Sequence, residues 1–201
     1  MTPVSRPIVN VIGEKVALGP ANRNQLPAYA RWFSDMNTMR TQGDPAPAPR
    51  TVEELGTWYE SEMSGKPERT FFSAYDRATW RLIGFADLQH IDHRHGTATM
   101  SLMVGEPEYR GRGYGTEMVR LILDFGFTAL CLHNIMLECY EYNLGRRAYT
   151  NAGFREIGRW QKAHMMGGKA WDIIYMDCLA TEFESPVLST IFLLDTAKVF
   201  E

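Results

Sequence analysis

The sequence of 201 residues has little cysteine, no long apolar run and almost no excess of charge, and each shortage removes a class of protein. Its three cysteines, Cys131, Cys139 and Cys178, are odd in number and lack C-x-x-C spacing. No disulfide framework or metal role is expected of them, and they read as reduced core or near-core thiols. No apolar run approaches the roughly 18 residues of a membrane-spanning helix. Residues 1–13 hold no apolar stretch of signal-peptide length. The 21 basic and 24 acidic side chains give a formal net charge of -3, which argues against a general nucleic-acid binder while permitting a local basic patch. The expectation is a cytoplasmic, soluble chain without a membrane or nucleic-acid partner.

What is present is ordinary globular material, 45% hydrophobic, with readable periodicity. Residues 8–19 hold two short apolar stretches around Gly13-Glu14, a hairpin signal. Residues 22–39 place Leu26, Tyr29, Ala30, Trp32, Phe33 and Met36 near helical spacing, predicting one amphipathic helix. Alternating prolines in residues 43–49 predict a loop. Thr51-Val52-Glu53-Glu54 forms a capping box that opens a second helix running to about residue 63. From residue 69 the period becomes two, predicting an antiparallel meander over 70–75, 80–89 and 97–104. Then come an amphipathic helix after Gly113, a strand over 135–140, a short helix over 146–152, and strands near 154–160 and 171–178. One strand–turn–helix–strand crossover implies an α/β (α+β) sheet with one parallel pair.

Between the third meander strand and the amphipathic helix lies Arg110-Gly111-Arg112-Gly113-Tyr114-Gly115. Glycines without β-carbons let backbone N–H groups approach a ligand closely, and the helix start adds unpaired donors and a positive dipole end. Such a turn suits a phosphate or pyrophosphate; the arginines contribute charge of the right sign, or are merely solvated. The pattern G-x-x-x-x-G-K-[ST] is absent, so a nucleotide γ-phosphate with magnesium is not indicated. The pattern G-x-G-x-x-G fails at Thr116, and Glu138 stands in the middle of the next strand rather than at the end that ribose recognition requires.

The residues from Glu108 to Glu117 resemble motif A of the GNAT acetyltransferases, R/Q-x-x-G-x-G/A. The resemblance continues through Asp124-Phe125-Gly126-Phe127, Leu132-His133, Glu141-Tyr142-Asn143, Tyr149 and Gly153-Phe154, in the order of the RimJ/RimL-like branch. Gly168, Asp172 and Met176 extend it to the last strand pair. It implies a GNAT fold, with a mixed, mostly antiparallel sheet splayed at an acetyl-CoA site. It also implies an N-acetyltransferase that moves an acetyl group from acetyl-CoA to a primary amine by direct attack in a ternary complex. By the same resemblance, Gly111, Arg112, Gly113, Tyr114, Gly115 and Thr116, with Arg110, would hold the pyrophosphate. Leu102, Met103 and Val104 would pair with the pantetheine arm, and a backbone N–H near Met103 or Val104 would polarise the thioester. Tyr149 would be the general acid toward the coenzyme thiolate; apart from the resemblance it reads rather as a half-buried helix tyrosine with an ordinary hydrogen bond. Asn143 would contact the coenzyme, though it stands one residue closer to the tyrosine than is usual in the family: either the loop is one residue shorter or Tyr142 occupies the usual slot.

The base is open. Residues 97–101 lack the carboxylate that many relatives carry there. Asp87, His90, Asp92, His93 and His95 are the candidates, with water as a relay; His90 to His95 also reads as a polar hairpin turn, and its H-x-x-H-x-H spacing lacks a further metal ligand. The acceptor, a protein amino terminus or a small-molecule amine, is expected among the first two helices, the loop at 43–50 and the final hairpin. That region includes Trp32, Phe33, Trp58, Tyr59, Trp160, His164, Met165, Met166 and Trp171, with Gln161 and Lys162 at its turn. Residues 1–180 read as a single catalytic domain, and 181–201 as an apolar tail covered by the chain's own core or across a homodimer. The missing carboxylate also allows a catalytically silent acyl-CoA-binding sensor or interaction module.

Overall fold

Residues 70–104 run as three antiparallel strands, β3 (Thr70–Asp76), β4 (Leu82–Asp92) and β5 (Thr97–Val104), the first two mostly buried on both faces. The computed structural model describes residues 6–42, 48–63 and 65–192. A hairpin of β1 (Val11–Ile12) and β2 (Val16–Pro20) pairs onto β3. After β5, helix α4 (Tyr114–Asp124) crosses one face and returns the chain to β6 (Asn134–Tyr140), which runs parallel to β5. The hairpin of β7 (Arg155–Met166) and β8 (Lys169–Leu179) completes an eight-stranded sheet of order β1-β2-β3-β4-β5-β6-β8-β7. The mixed, mostly antiparallel sheet expected from the sequence is therefore present.

Successive strand residues point to opposite faces, so Phe71 and Phe72 enter different cores. One face packs against α4, whose Met118, Val119, Leu121, Ile122 and Leu123 are buried. The other carries α1 (Leu26–Phe33) and α3 (Val52–Trp58), which bury Tyr29, Trp32 and Leu55 against Phe71, Phe85 and Met103. The capping box at Thr51 and Glu54 forms as its sequence predicts.

Several boundaries differ from the sequence reading. The single helix expected over 22–39 is broken: a 3-10 turn at Arg23–Gln25 precedes α1, and a separate α2 (Met36–Met39) follows. Asp35 causes the break, because its carboxylate accepts the N–H of Asn37 (3.2 Å) and the hydroxyl of Thr38 (2.6 Å) and so starts a new helix. β7 and β8 extend through the segment read as a 161–169 turn, and the reversal sits at Gly167-Gly168. Cys131 is exposed, whereas Cys139 and Cys178 are buried. The core of the proline-rich loop, residues 43–47, lies outside the described residues, as do Leu193 and Leu194 of the tail.

The described part of the tail returns to its own core. Asp124, wholly buried at the end of α4, accepts hydrogen bonds from Thr128 Oγ1 (2.8 Å), Ser185 Oγ (2.5 Å) and the N–H groups of Val187 (3.0 Å) and Leu188 (2.9 Å). That pins the short helix α6 (Leu188–Ile191) and buries Leu188, while Ile191 and Phe192 stay exposed.

Candidate active site

β5 and β6 pair only from Thr97↔Asn134 to Thr99↔Met136, and beyond that point they part. A cavity of about 660 Å³ opens at the parting, lined by residues 100–104 of β5, Glu138 of β6, the glycine turn, α5 (Arg146–Ala152) and the end of α2. Among the described residues, the β6-facing edge of residues 100–104 has no strand beside it. The site thus arises where a parallel pair stops, a position that offers backbone donors and acceptors to an extended ligand.

The turn has the backbone that its glycines were expected to allow. Gly111 and Gly113 sit at φ 69° and 88°, and the latter is the residue before α4. No side chain stands where a β-carbon on Gly111 would go, and Lys15 Nζ lies 3.6 Å from the corresponding point on Gly113. A side chain at either position would fill space that an anion needs, so the residues present fit a phosphate-bearing coenzyme.

Leu102, Met103, Val104, Arg110, Gly111, Gly113, Gly115, Thr116, Asn143 and Tyr149 all line this one cavity. Two of the predicted set do not. Arg112 is exposed, its guanidinium donating to the Glu108 carbonyl (3.2 Å). The Tyr114 side chain turns to Asp76 (3.2 Å) and stacks edge-on with Tyr109. Arg110 itself is committed to the scaffold: it donates to the carbonyls of Val104 and Gly105, both at 2.9 Å, and to Thr38 Oγ1 at 2.8 Å. Arg147 lines the cavity without a side-chain partner among the described residues, while Arg146 is paired with Glu156 at 2.8 Å. Asn143 caps the turn into α5, its Oδ1 accepting the Gly145 N–H at 2.8 Å.

Tyr149, on α5, is half-buried and reaches the cavity. Its hydroxyl makes no hydrogen bond among the described residues, unlike an ordinary buried tyrosine. Burial first, and the nearby Cys139 second, push its pKa above that of a free phenol, so it is a proton donor across the physiological range.

None of the five base candidates lines the cavity. Asp87 is wholly buried, gripped by Arg69 through Nε (3.0 Å) and NH2 (2.5 Å) and by the Ser101 hydroxyl. Asp92 accepts the N–H groups of Arg94 and His95, each at 2.9 Å, and His93 bonds the Pro67 carbonyl; His90 and Asp92 lie at the end of β4, and residues 93–96 form the β4–β5 turn. The carboxylate that does line the cavity is Glu138. Ile135, Leu137 and Cys139 of β6 are buried against α4, so alternation turns Glu138 to the opposite side. A charged residue inside an otherwise apolar strand was its signal in the sequence.

The acceptor wall also differs from expectation. Trp32, Phe33, Trp58 and Tyr59 belong to the core beneath α1 and α3, and Trp160 and Met165 are exposed on β7. Gln161, Lys162 and Met166 do not line the cavity. His164 and Trp171 instead back Tyr142: His164 stacks on Tyr140 at 3.7 Å and bonds the Tyr142 hydroxyl at 3.1 Å, and Trp171 packs edge-on against Tyr142 at 5.1 Å.

A family model described as the acetyltransferase (GNAT) domain matches residues 15–155. The chain belongs to the GNAT acetyltransferase family. As a GNAT protein it is an N-acetyltransferase that draws its acetyl group from acetyl-CoA. Among relatives, the spermidine N(1)-acetyltransferase of Vibrio cholerae is 28% identical over 134 residues, 66% of this chain and 76% of that protein. The crystal structure of spermidine N-acetyltransferase from Vibrio cholerae with CoA and spermine superposes with a TM-score of 0.76 at 24% identity, covering 85% of this chain and 98% of that one. A GNAT-family acetyltransferase from Bacillus anthracis superposes at 0.72 with 22% identity, over 86% and 99% of the two chains. At these identities the superpositions speak for the fold.

Proposed function

We propose that this enzyme acetylates the primary amine of a small molecule by direct attack within a ternary complex, as a RimJ/RimL-like member of its family. The observation that carries this reading is the Tyr149 hydroxyl, unpartnered among the described residues, on the same cavity as the glycine turn and Glu138. Acetyl-CoA supplies an activated acetyl thioester. The N–H groups from Gly111 to Thr116, with Arg147 and Lys15 nearby, hold its phosphates, and the open edge of residues 102–104 receives the pantetheine arm. A backbone N–H at Met103 or Val104 serves the thioester carbonyl. Glu138 takes the proton from the incoming ammonium, and Tyr149 Oη holds the proton that the departing thiol needs. Asn143 positions the turn ahead of α5. The sensor alternative rested on the missing carboxylate near Thr99, and Glu138 answers that objection from the neighbouring strand.

On this reading residues 1–180 form the catalytic domain, and the tail at 181–201 presents Ile191 and Phe192 to a second copy in a cytoplasmic homodimer. Light scattering of a monomer at micromolar concentration refutes the dimer. The test of function has two arms. Acetyl-CoA should raise the melting temperature, since a ligand that binds only the native state stabilises it, and free thiol should appear when an amine panel is added. Coenzyme binding without turnover of any amine would return the sensor reading.

A further inference from the structure

The relative from Vibrio cholerae is named for spermidine, a polycation, yet the charged side chains on the cavity here have the opposite balance. Among the described residues they are Arg40, Arg110 and Arg147 against the single carboxylate of Glu138. If Glu138 serves the reacting nitrogen, no lining carboxylate is left for a second ammonium, and the guanidinium groups repel it.

Arg40 is the group left without a task. Arg110 is committed to Val104, Gly105 and Thr38, and Arg147 stands on the helix that faces the glycine turn, with Ala148 3.8 Å from a β-carbon built on Gly115. Arg40 makes no ion pair or side-chain hydrogen bond among the described residues. Its backbone, in contrast, is fixed. The Tyr142 hydroxyl donates to the Arg40 carbonyl at 2.5 Å, and the Tyr140 hydroxyl donates to the Gln42 carbonyl at 3.3 Å. Tyr140 at the end of β6 and Tyr142 in the turn beyond it therefore clamp the segment after α2 against the cavity, with His164 and Trp171 behind them. The guanidinium lies close enough to Tyr142 to offset part of the rise that burial imposes on that phenol. With its backbone fixed beside the cavity, the exposed Arg40 guanidinium has only its own side chain to order on binding an anion.

We propose that the acceptor carries an anionic group, a carboxylate or a phosphate, and that Arg40 binds it while Glu138 faces the amine. This rests on the acetyltransferase reading above and adds the acceptor's chemical class. The matched test is thiol release with β-alanine, with glucosamine 6-phosphate against glucosamine, and with spermidine. At least one anionic amine should exceed spermidine in kcat/KM by about 10- to 100-fold, the range of one charge-assisted hydrogen bond. Which anion prevails tells carboxylate from phosphate. Arg40→Gln should raise KM for the preferred anionic amine by a similar factor, move KM for acetyl-CoA less than about twofold, and erase the preference; Arg40→Glu should reverse it toward spermidine. Spermidine as the best wild-type substrate overturns the proposal. So does an Arg40→Gln enzyme that loses affinity for acetyl-CoA alone, which would give Arg40 to the coenzyme. Turnover of no amine overturns the acetyltransferase reading itself, and this inference with it.

Discussion

Replacing Tyr149 with phenylalanine removes one oxygen atom, and the structure separates its effect on folding from its effect on chemistry. The hydroxyl has no hydrogen-bond partner among the described residues, while the ring packs edge-on against Phe154 at 6.2 Å. Phenylalanine keeps that ring contact and strands no buried partner, so stability should change by less than about 0.5 kcal/mol. For a chain of this size that is a shift in Tm under about 2 °C. The catalytic loss should be far larger. A positioned general acid contributes roughly 10²- to 10⁴-fold, about 2.7–5.4 kcal/mol in the barrier. The assay is thiol release at saturating acetyl-CoA, read as kcat across pH, beside a melting curve of the same preparation. Because burial, and then Cys139, raise the Tyr149 pKa above its ordinary 10.0, the proton stays on the wild-type oxygen as pH rises. Wild-type kcat should therefore climb as the amine deprotonates and then hold level up to about pH 10, without an alkaline decline from Tyr149. A variant that keeps kcat within roughly threefold of wild type would refute Tyr149 as the acid, whereas an alkaline limb that disappears on substitution would refute only its raised pKa.

Glu138→Gln should lower kcat at neutral pH by about 10²-fold or more; a change confined to KM would make Glu138 a binding group instead. Asp124→Asn should cost about 2–3 kcal/mol and roughly 4–12 °C in Tm, because an amide NH2 would face the N–H groups of Val187 and Leu188; an unchanged Tm would mean that the tail is not held this way. Burial alone would raise the pKa of Glu106. Donors from Trp32 and Arg31, with the charges of Arg31 and Arg81, outweigh that and leave it below 4.5. A depressed carboxyl stabilises the fold above its unfolded pKa and loses that contribution as pH falls. Tm should therefore drop more steeply between about pH 5 and pH 3 in the wild type than in Glu106→Gln, and parallel curves would contradict this.

The features written locally in the sequence appear in the structure nearly where they were read. The meander over 70–104 and the helix after Gly113 follow from side-chain period, and the glycine turn follows from residues that tolerate positive φ. The breaks that were missed also have local causes. Asp35 interrupts a helical period by capping a new helix, and β7 continues past Trp160 because its exposed edge imposes no strict alternation.

The cavity is a different matter. The sequence by itself determined the strands and the turn, because period and backbone preference act over a few residues, and its resemblance to the GNAT motifs implied the coenzyme. It did not determine which charged groups meet. Asp87 and Glu138 both sit on strands, and only the sheet order decides that Asp87 is sealed behind Ser101 and Arg69 while Glu138 faces the parting of β5 and β6. Arg40 reaches the cavity because Tyr140 and Tyr142, about a hundred residues further along, hold its backbone there. These side chains converge through sheet register and through the end of one parallel pairing. Both are properties of strands distant in sequence, and no local pattern records them.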